Sequence, residues 1–118
     1  MTTETEQAEQ MFQQLMVRLL ADPAVSEGTG FGSTPGLRVG KKIFAMLSRE
    51  RDLVVKLSKE RVDELVASGT GSRFDPRRDG RLMKEWVTVP VRHGRKWGHL
   101  ATEALGFVRS GARNASHR

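Results

Sequence analysis

Cysteine and tyrosine are absent from this chain of 118 residues, and aromatic residues make up only 6% of it. The absence of cysteine excludes disulfide bonds and thiolate metal sites. So few aromatic side chains argue against a platform that stacks single-stranded nucleic acid base by base. No apolar run approaches the roughly 20 residues that a membrane-spanning helix needs, and the acidic N-terminus does not resemble a secretory signal. We therefore expect a cytoplasmic protein without a membrane partner.

Patterns typical of catalysis and of cofactor binding are missing as well. The serines do not lie in the G-x-S-x-G setting of an activated nucleophile, and the histidines lack the H-x-x-x-H spacing of zinc ligands. The glycine-rich segment 28–40 follows a predicted helix and leads into a strand, whereas a phosphate-binding loop lies between a strand and a helix. We read that segment as an irregular edge strand and turn. The sequence predicts no catalytic residue, no metal ion, no cofactor and no enzymatic activity.

Charge is distributed unevenly along the chain, whose net charge is +6. Residues 1–37 contain one basic and five acidic residues, a net of −4, while residues 38–118 contain 19 basic and 9 acidic residues, a net of +10. A polyanionic partner is one explanation of this pattern, and a solubilising surface is the other. Metal handling by the acidic residues Glu4, Glu6 and Glu9 is the least favoured reading, since they are few and most other acids lie among lysines and arginines.

The chain is long enough for one domain with a single core. Segment 110–118 is basic and has no apolar periodicity, so we predict a single domain over residues 1–109 followed by a flexible basic tail. Apolar residues at three- and four-residue spacing predict a first helix that ends at Asp22-Pro23. Residues 38–47 and 53–57 are expected to form a hairpin across residues 49–52.

The second half of the chain continues this alternation of element types. Ser58 is placed to cap a helix that Gly69 ends, and residues 70–80 are expected to be a basic loop. Residues 82–91 predict a strand, residues 92–96 a basic turn, and Trp97 the start of a closing helix. The fold class is therefore α+β, with a mostly antiparallel sheet covered by helices. The predicted core positions are Leu15, Leu19, Ile43, Leu53, Val55, Leu57, Leu65, Val87, Val89 and Leu105.

Strand alternation places Glu85 on the same face as Met83, Val87 and Val89, where an unpaired carboxylate is costly. We predict that Glu85 pairs with a basic residue of the neighbouring hairpin. The candidates are Lys41, Lys42 and Lys56. An exposed position at the end of the sheet is the alternative.

Three segments together resemble the MmcQ/YjbR-like proteins and the related amino-terminal domain of the TfoX/Sxy proteins. They are Gly-Lys-Lys-Ile-Phe-Ala at 40–45, Val-Lys-Leu at 55–57 and Gly-Arg-Leu-Met-Lys-Glu-Trp-Val at 80–87. The resemblance covers roughly residues 8–109, and its most specific part is the motif Lys84, Glu85 and Trp86 together with the helix near Trp97. It implies a small α/β fold with a double-wing arrangement and a DNA-binding role that has been suggested for the group.

Two predicted basic segments are placed to straddle a nucleic-acid backbone. The residues are Arg73, Arg77 and Arg78 in one segment and Arg92, Arg95 and Lys96 in the other. Long basic side chains in turns contact phosphate more readily than base edges, so we predict weak duplex DNA binding with little sequence preference. Trp97 beside the second segment is read as a core residue ahead of a base-stacking one. The alternative function is a noncatalytic protein–protein adaptor, which the charge asymmetry fits equally well, and the oligomeric state stays open.

Overall fold

The computed structural model describes residues 3–29, 34–75 and 83–115. In chain order the elements are α1 (Glu4–Leu19), β1 (Val25–Thr29), β2 (Pro35–Val39), β3 (Lys42–Leu47), β4 (Leu53–Lys56), α2 (Lys59–Ala67), β5 (Ser72–Phe74), β6 (Met83–Val89), a 3-10 helix (Val91–Lys96) and α3 (Trp97–Ala115). The six described strands form one antiparallel sheet in the order β1-β2-β3-β4-β6-β5. The predicted α+β class and antiparallel sheet are confirmed.

Helix α1 begins where Thr3 caps it, since the Thr3 hydroxyl accepts a hydrogen bond from the Glu6 backbone N–H at 3.1 Å. Acidic side chains in the first turn are favourable beside the positive end of the helix dipole. The helix ends at Leu19, ahead of Asp22 and Pro23 as predicted. Its buried residues form the predicted stripe, which consists of Ala8, Phe12, Leu15, Met16 and Leu19.

The prediction of a single strand over residues 38–47 is wrong in one respect. It is divided between β2 and β3, which are joined by a tight turn at Gly40 and Lys41. Gly40 has a φ of +64°, a left-handed conformation that a side chain would make costly, so the glycine permits the turn. An edge strand was predicted in the glycine-rich segment 28–40. The edge strand β1 contains only residues 28 and 29 of that segment, the inner strand β2 takes residues 35–39, and residues 30–33 lie outside the described residues.

The predicted loop over residues 70–80 contains a short strand, β5, that pairs with β6. Three residues are too few to show an alternation that sequence analysis can detect. Strand β6 stops at Val89, before the predicted end at Val91, because Pro90 has no N–H to donate to a neighbouring strand. The turn predicted over residues 92–96 is part of the 3-10 helix.

Two irregularities in strand pairing move side chains to a face that alternation does not predict. The register of β2 against β3 shifts after Leu37, and that of β5 against β6 shifts after Arg73. A shift of this kind exchanges the two faces of a strand. Ile43, a predicted core residue, and Met83, predicted to share a face with Val87, are therefore only partly buried and pack on the opposite face.

Helices α2 and α3 begin where the sequence predicts. The Ser58 hydroxyl accepts a hydrogen bond from the Arg61 backbone N–H at 3.2 Å, and Gly69 follows the end of α2 with a φ of +77°. Helix α3 begins at Trp97 and continues to Ala115, beyond residue 109. No helix in the described part of the chain is both long and apolar enough to span a bilayer.

Buried hydrophobic side chains form two clusters, one on each face of the sheet. The larger cluster lies between the sheet and the three helices, and it contains every predicted core residue except Ile43. The smaller cluster is built from strands alone, and its buried members are Met46, Val54, Phe74 and Trp86. We call the face of the sheet that carries the larger cluster the covered face. The face that carries the smaller cluster is called the open face, since no described helix contributes a residue to that cluster.

Candidate nucleic-acid interface

In the first predicted basic segment, the one arginine that the structure describes, Arg73, has its charge balanced by a carboxylate of the protein itself. Arg73 donates a hydrogen bond from its guanidinium to Asp63 on α2, which also accepts one from Lys59 Nζ at 3.1 Å. The hydrogen bonds from Lys59 and then Arg73 lower the pKa of the Asp63 carboxyl. Arg73 is therefore a weak candidate for a phosphate contact. Arg77 and Arg78 lie outside the described residues.

The second predicted segment is exposed. Arg92, Arg95 and Lys96 lie on the 3-10 helix between β6 and α3, and none of them makes a salt bridge to a described residue. Lys96 Nζ donates a hydrogen bond to Thr70 Oγ1 at 3.3 Å, which places it beside the chain that leaves α2. Three basic side chains thus reach solvent from one rigid turn.

Arg92 has acidic neighbours. Partial burial raises the pKa of the Asp52 carboxyl, nearby Glu50 raises it further, and the positive charge of Arg92 opposes them. A shallow cavity of about 310 Å³ is lined by Arg92 and Arg95 but also by Glu4. An anion approaching Arg92 therefore meets carboxylates on the same side.

Arg95 faces a second cavity, of about 220 Å³, between α1 and the start of α3. Arg18 from α1, Arg95 and His99 line it together with the amide of Gln14, and no described carboxylate does. The nearest acid to His99 is Glu103, with its Oε1 3.9 Å from His99 Nε2. Basic groups from three elements, together with a side-chain amide, match the hydrogen-bonding needs of a phosphate group.

Two glycines let α1 approach closely enough to form this cavity. A Cβ on Gly94 would lie 2.1 Å from Met11 Cε, and one on Gly98 would lie 3.1 Å from Arg18 Nη1. The absence of side chains at these positions leaves room for the Met11 side chain at the 3-10 helix and for the Arg18 side chain at the start of α3. We call Arg18, Arg92, Arg95, Lys96 and His99 the basic cluster.

Sequence analysis missed Arg18 and His99 as members of the basic cluster. Arg18 is the one basic residue among residues 1–37, so the charge distribution points away from it. The glycines at 94 and 98 are a weak sign that another element packs closely there. Nothing in the sequence indicates that this element is α1.

Trp97 adjoins the basic cluster without belonging to it. Its side chain is 2% exposed and packs in the larger hydrophobic cluster, and its indole N–H donates a hydrogen bond to the Pro90 carbonyl at 3.3 Å. The core interpretation is confirmed, and stacking on a nucleic-acid base would require the helix to unpack.

The motif Lys84, Glu85 and Trp86 lies near the other end of β6. Trp86 is buried in the open-face cluster, whereas Glu85 is about half exposed because alternation is interrupted here. Glu85 Oε1 lies 3.9 Å from Lys56 Nζ, one of the three partners predicted for it. The pairing is confirmed, but at this distance and exposure it contributes little to stability.

No group of three or more metal-ligating side chains comes together in the described part of the chain. The acidic residues of α1 point elsewhere: Glu9 Oε2 accepts a hydrogen bond from Arg51 Nε at 2.9 Å, and Glu6 Oε1 accepts one from the Thr3 hydroxyl at 3.1 Å. These carboxylates serve local and inter-element contacts within the fold.

Comparison with known families assigns the chain. The sequence profile of the YjbR family matches residues 20–104, which is more than half of the sequence. The chain belongs to the YjbR family. No curated protein and no solved structure matches it. The YjbR match takes in all six described strands, the 3-10 helix and His99, whereas α1 and Arg18 precede it.

Proposed function

We propose that this YjbR-family protein binds duplex DNA through the phosphate backbone, with the basic cluster as its contact surface and the cytoplasm as its compartment. The observation that supports this proposal best is the cavity lined by Arg18, Arg95 and His99, which no described carboxylate lines. The surface differs from the two loops predicted from sequence. Arg73 is engaged by Asp63, and α1 supplies Arg18 instead.

The cluster contacts charge and not base edges. Its side chains project from the short 3-10 helix and from the surfaces of α1 and α3, and no described strand or helix carries more than three of them. Contacts of this kind position a protein on DNA without reading its sequence. We therefore expect similar affinities for unrelated duplexes of equal length.

Salt dependence measures the number of phosphates that the cluster neutralises. With about four phosphates contacted, the slope of log K against log salt concentration should be near −3.6. Replacing Arg92 and Arg95 together with alanine should flatten the slope by about one to two units, since each phosphate contact contributes about 0.9 and the carboxylates beside Arg92 weaken its share. Fluorescence anisotropy with a labelled duplex at several salt concentrations gives both slopes.

The matched control is the double variant Lys41→Ala with Lys42→Ala. It removes the same net charge from an exposed turn at the opposite end of the sheet. Wild-type slope and affinity in this control, with a flattened slope in the arginine variant, support the proposal. Equal losses in both variants would mean that only net charge matters and would contradict the assigned surface.

Two further outcomes would redirect the assignment. A double variant of Arg77 and Arg78 that flattens the slope while the Arg92 and Arg95 variant does not would place the contact on the first predicted segment. No binding at low salt would remove the DNA proposal. The adaptor function would then be tested with a pull-down that retains one defined protein at high salt.

A further inference from the structure

A cleft on the other side of the molecule has the composition of a small-ligand site. It has a volume of about 550 Å³ and is lined by Lys56 from β4, Lys59 from α2, and residues 83–86 of β6. This volume lies within the range of about 300–1,000 Å³ that is usual for ligand-binding pockets. The cleft is near the start of β6, and the basic cluster follows the end of that strand, so the two sites are separate.

The walls of the cleft combine apolar and cationic groups. Trp86 and Met83 supply an aromatic ring and a thioether, while Lys56, Lys59 and Lys84 supply three ammonium groups; among the described residues of the lining, Glu85 supplies the one carboxylate. Lys84 is exposed and makes no salt bridge to any described residue. An occupant with both a flat apolar body and a negative charge fits this combination.

Lys56 lies over the tryptophan of the cleft. Its Nζ is 5.7 Å from the centroid of the Trp86 ring, and Trp86 as a whole is 9% exposed. Its salt bridge to Glu85 is long, at 3.9 Å, and both side chains are partly exposed. Cation–π contacts and ion pairs in such surroundings are weak, so a ligand that offers a better anion can draw Lys56 from the ring.

We propose that this cleft binds a nucleoside monophosphate, with the base against Trp86 and Met83 and the phosphate held by Lys56 and Lys84. A base supplies the planar π system that tryptophan and methionine contact favourably. A phosphate supplies the dianionic acceptor that lysine side chains bind as point charges. Lys59 is a weaker contributor, because Asp63 already holds its ammonium group at 3.1 Å.

The two tryptophans allow a test with an internal control. Their indole N–H resonances are observed by NMR, and the one lost in Trp86→Phe identifies Trp86. Titration with AMP and with GMP should shift the Trp86 resonance saturably and leave that of Trp97 unchanged, since Trp97 is 2% exposed and bonded to Pro90. Ribose 5-phosphate and inorganic phosphate should bind at least about fivefold more weakly, the smallest gain expected from stacking a base on an aromatic ring.

Two neighbouring substitutions should act in opposite directions. Lys84→Ala removes a phosphate partner and should weaken AMP binding about two- to fivefold, whereas Glu85→Gln removes the one carboxylate that described residues bring to the cleft and should strengthen it by a similar factor. Arg49→Ala, an equal charge change on the exposed turn between β3 and β4 at the opposite end of the sheet, should leave the affinity unchanged.

Several outcomes would overturn the proposal. These are an unshifted Trp86 resonance with both nucleotides at millimolar concentration, equal binding of inorganic phosphate, or weakening by Glu85→Gln. A short single-stranded oligonucleotide that shifts Trp86 when neither mononucleotide does would assign the cleft to a nucleic-acid strand instead. The Arg92 and Arg95 double variant should retain full AMP affinity, so failure of DNA binding leaves this test intact.

Discussion

The two faces of the sheet bury very different amounts of apolar structure. Among the described residues, 23 buried side chains from the strands and all three helices form the cluster of the covered face, against four from strands alone on the open face. Ion pairs follow the same division. Arg109 binds Asp22 at 2.6 Å and Arg61 binds Glu103 at 2.9 Å around the helix layer, whereas the described pair with both residues in the lining of the cleft, Lys56 with Glu85, is 3.9 Å long.

This difference separates stability from binding capacity. Hydrophobic burial scales with the area removed from water, so the covered face supplies most of the stability. On the open face the large side chains of Trp86 and Phe74 are 9% and 8% exposed, and no described helix contributes a residue to their cluster. The cleft on this face can therefore change with little cost to the fold, and the following substitutions test that contrast.

Phenylalanine truncation should give the largest contrast between the faces. Phe12→Ala empties a site that is 1% exposed between α1 and the sheet, and it should lower the free energy of unfolding by about 3–5 kcal/mol. Phe74→Ala removes a side chain that is 8% exposed in the smaller cluster, and it should cost about 1–3 kcal/mol because that site can relax or admit water. Urea denaturation monitored by circular dichroism measures both.

The control for the phenylalanine pair is Val17→Ala on α1, where the side chain is 66% exposed and the cost should stay below about 0.5 kcal/mol. A Phe74→Ala cost equal to that of Phe12→Ala would show that the open face carries as much of the stability as the covered face.

Two adjacent valines of β4 sharpen the comparison, since both are fully buried and point to opposite faces. Val55→Ala on the covered face should cost about 2–3 kcal/mol, since a cavity among three helices and the sheet collapses incompletely. Val54→Ala on the open face should cost about 1–2 kcal/mol. The difference between the two midpoints of urea unfolding is the quantity of interest, and a larger cost at Val54 would reverse our assignment of the faces.

Charge substitutions should give the smallest changes in stability, and these changes should depend on pH. The hydrogen bond from Arg109, and then that from the Ala24 N–H, lower the pKa of the Asp22 carboxyl in the folded protein. Its ionised form therefore stabilises the fold above the ordinary carboxyl pKa of about 3.9, and this contribution is lost as the pH falls through the folded value. Asp22→Asn should be less stable than wild type at neutral pH and should converge with it in acid.

Glu85→Gln is the matched substitution at the open-face cleft. Because its partner Lys56 is 3.9 Å away and both groups are partly exposed, the melting temperature should change less than in Asp22→Asn. Thermal melts of both variants at neutral pH and in acid compare them directly. An equal or larger loss in Glu85→Gln would show that the 3.9 Å contact understates the pairing.

Sequence patterns were sufficient wherever one element's own residues decide its structure. The stripe on α1, the Ser58 cap, the glycine after α2 and the start of α3 at Trp97 were all predicted and are all confirmed. Each depends on local hydrogen bonds or on the helical period. The division of residues 38–47 into two strands was missed, because periodicity does not distinguish a long strand from a tight hairpin.

The features that sequence analysis did not predict depend on how one element pairs with another. The register shifts that move Ile43 and Met83 to the open face arise from contacts with a partner strand, and a strand as short as β5 acquires its identity only by pairing with β6. The same holds for the candidate sites. Asp63, ten residues earlier in the chain, pairs with Arg73, and Arg18 of α1 lines the cavity beside Arg95; neither contact is visible in the sequence.

The sequence by itself determined the α+β class, the starts of α2 and α3 and the family, because these depend on local periodicity, capping and a recognisable motif. The tertiary structure decided which charges stay available to a ligand. Charge availability depends on distances between residues far apart in sequence, and the packing of α1 against the 3-10 helix and α3 brings Arg18 and Arg95 to the same cavity.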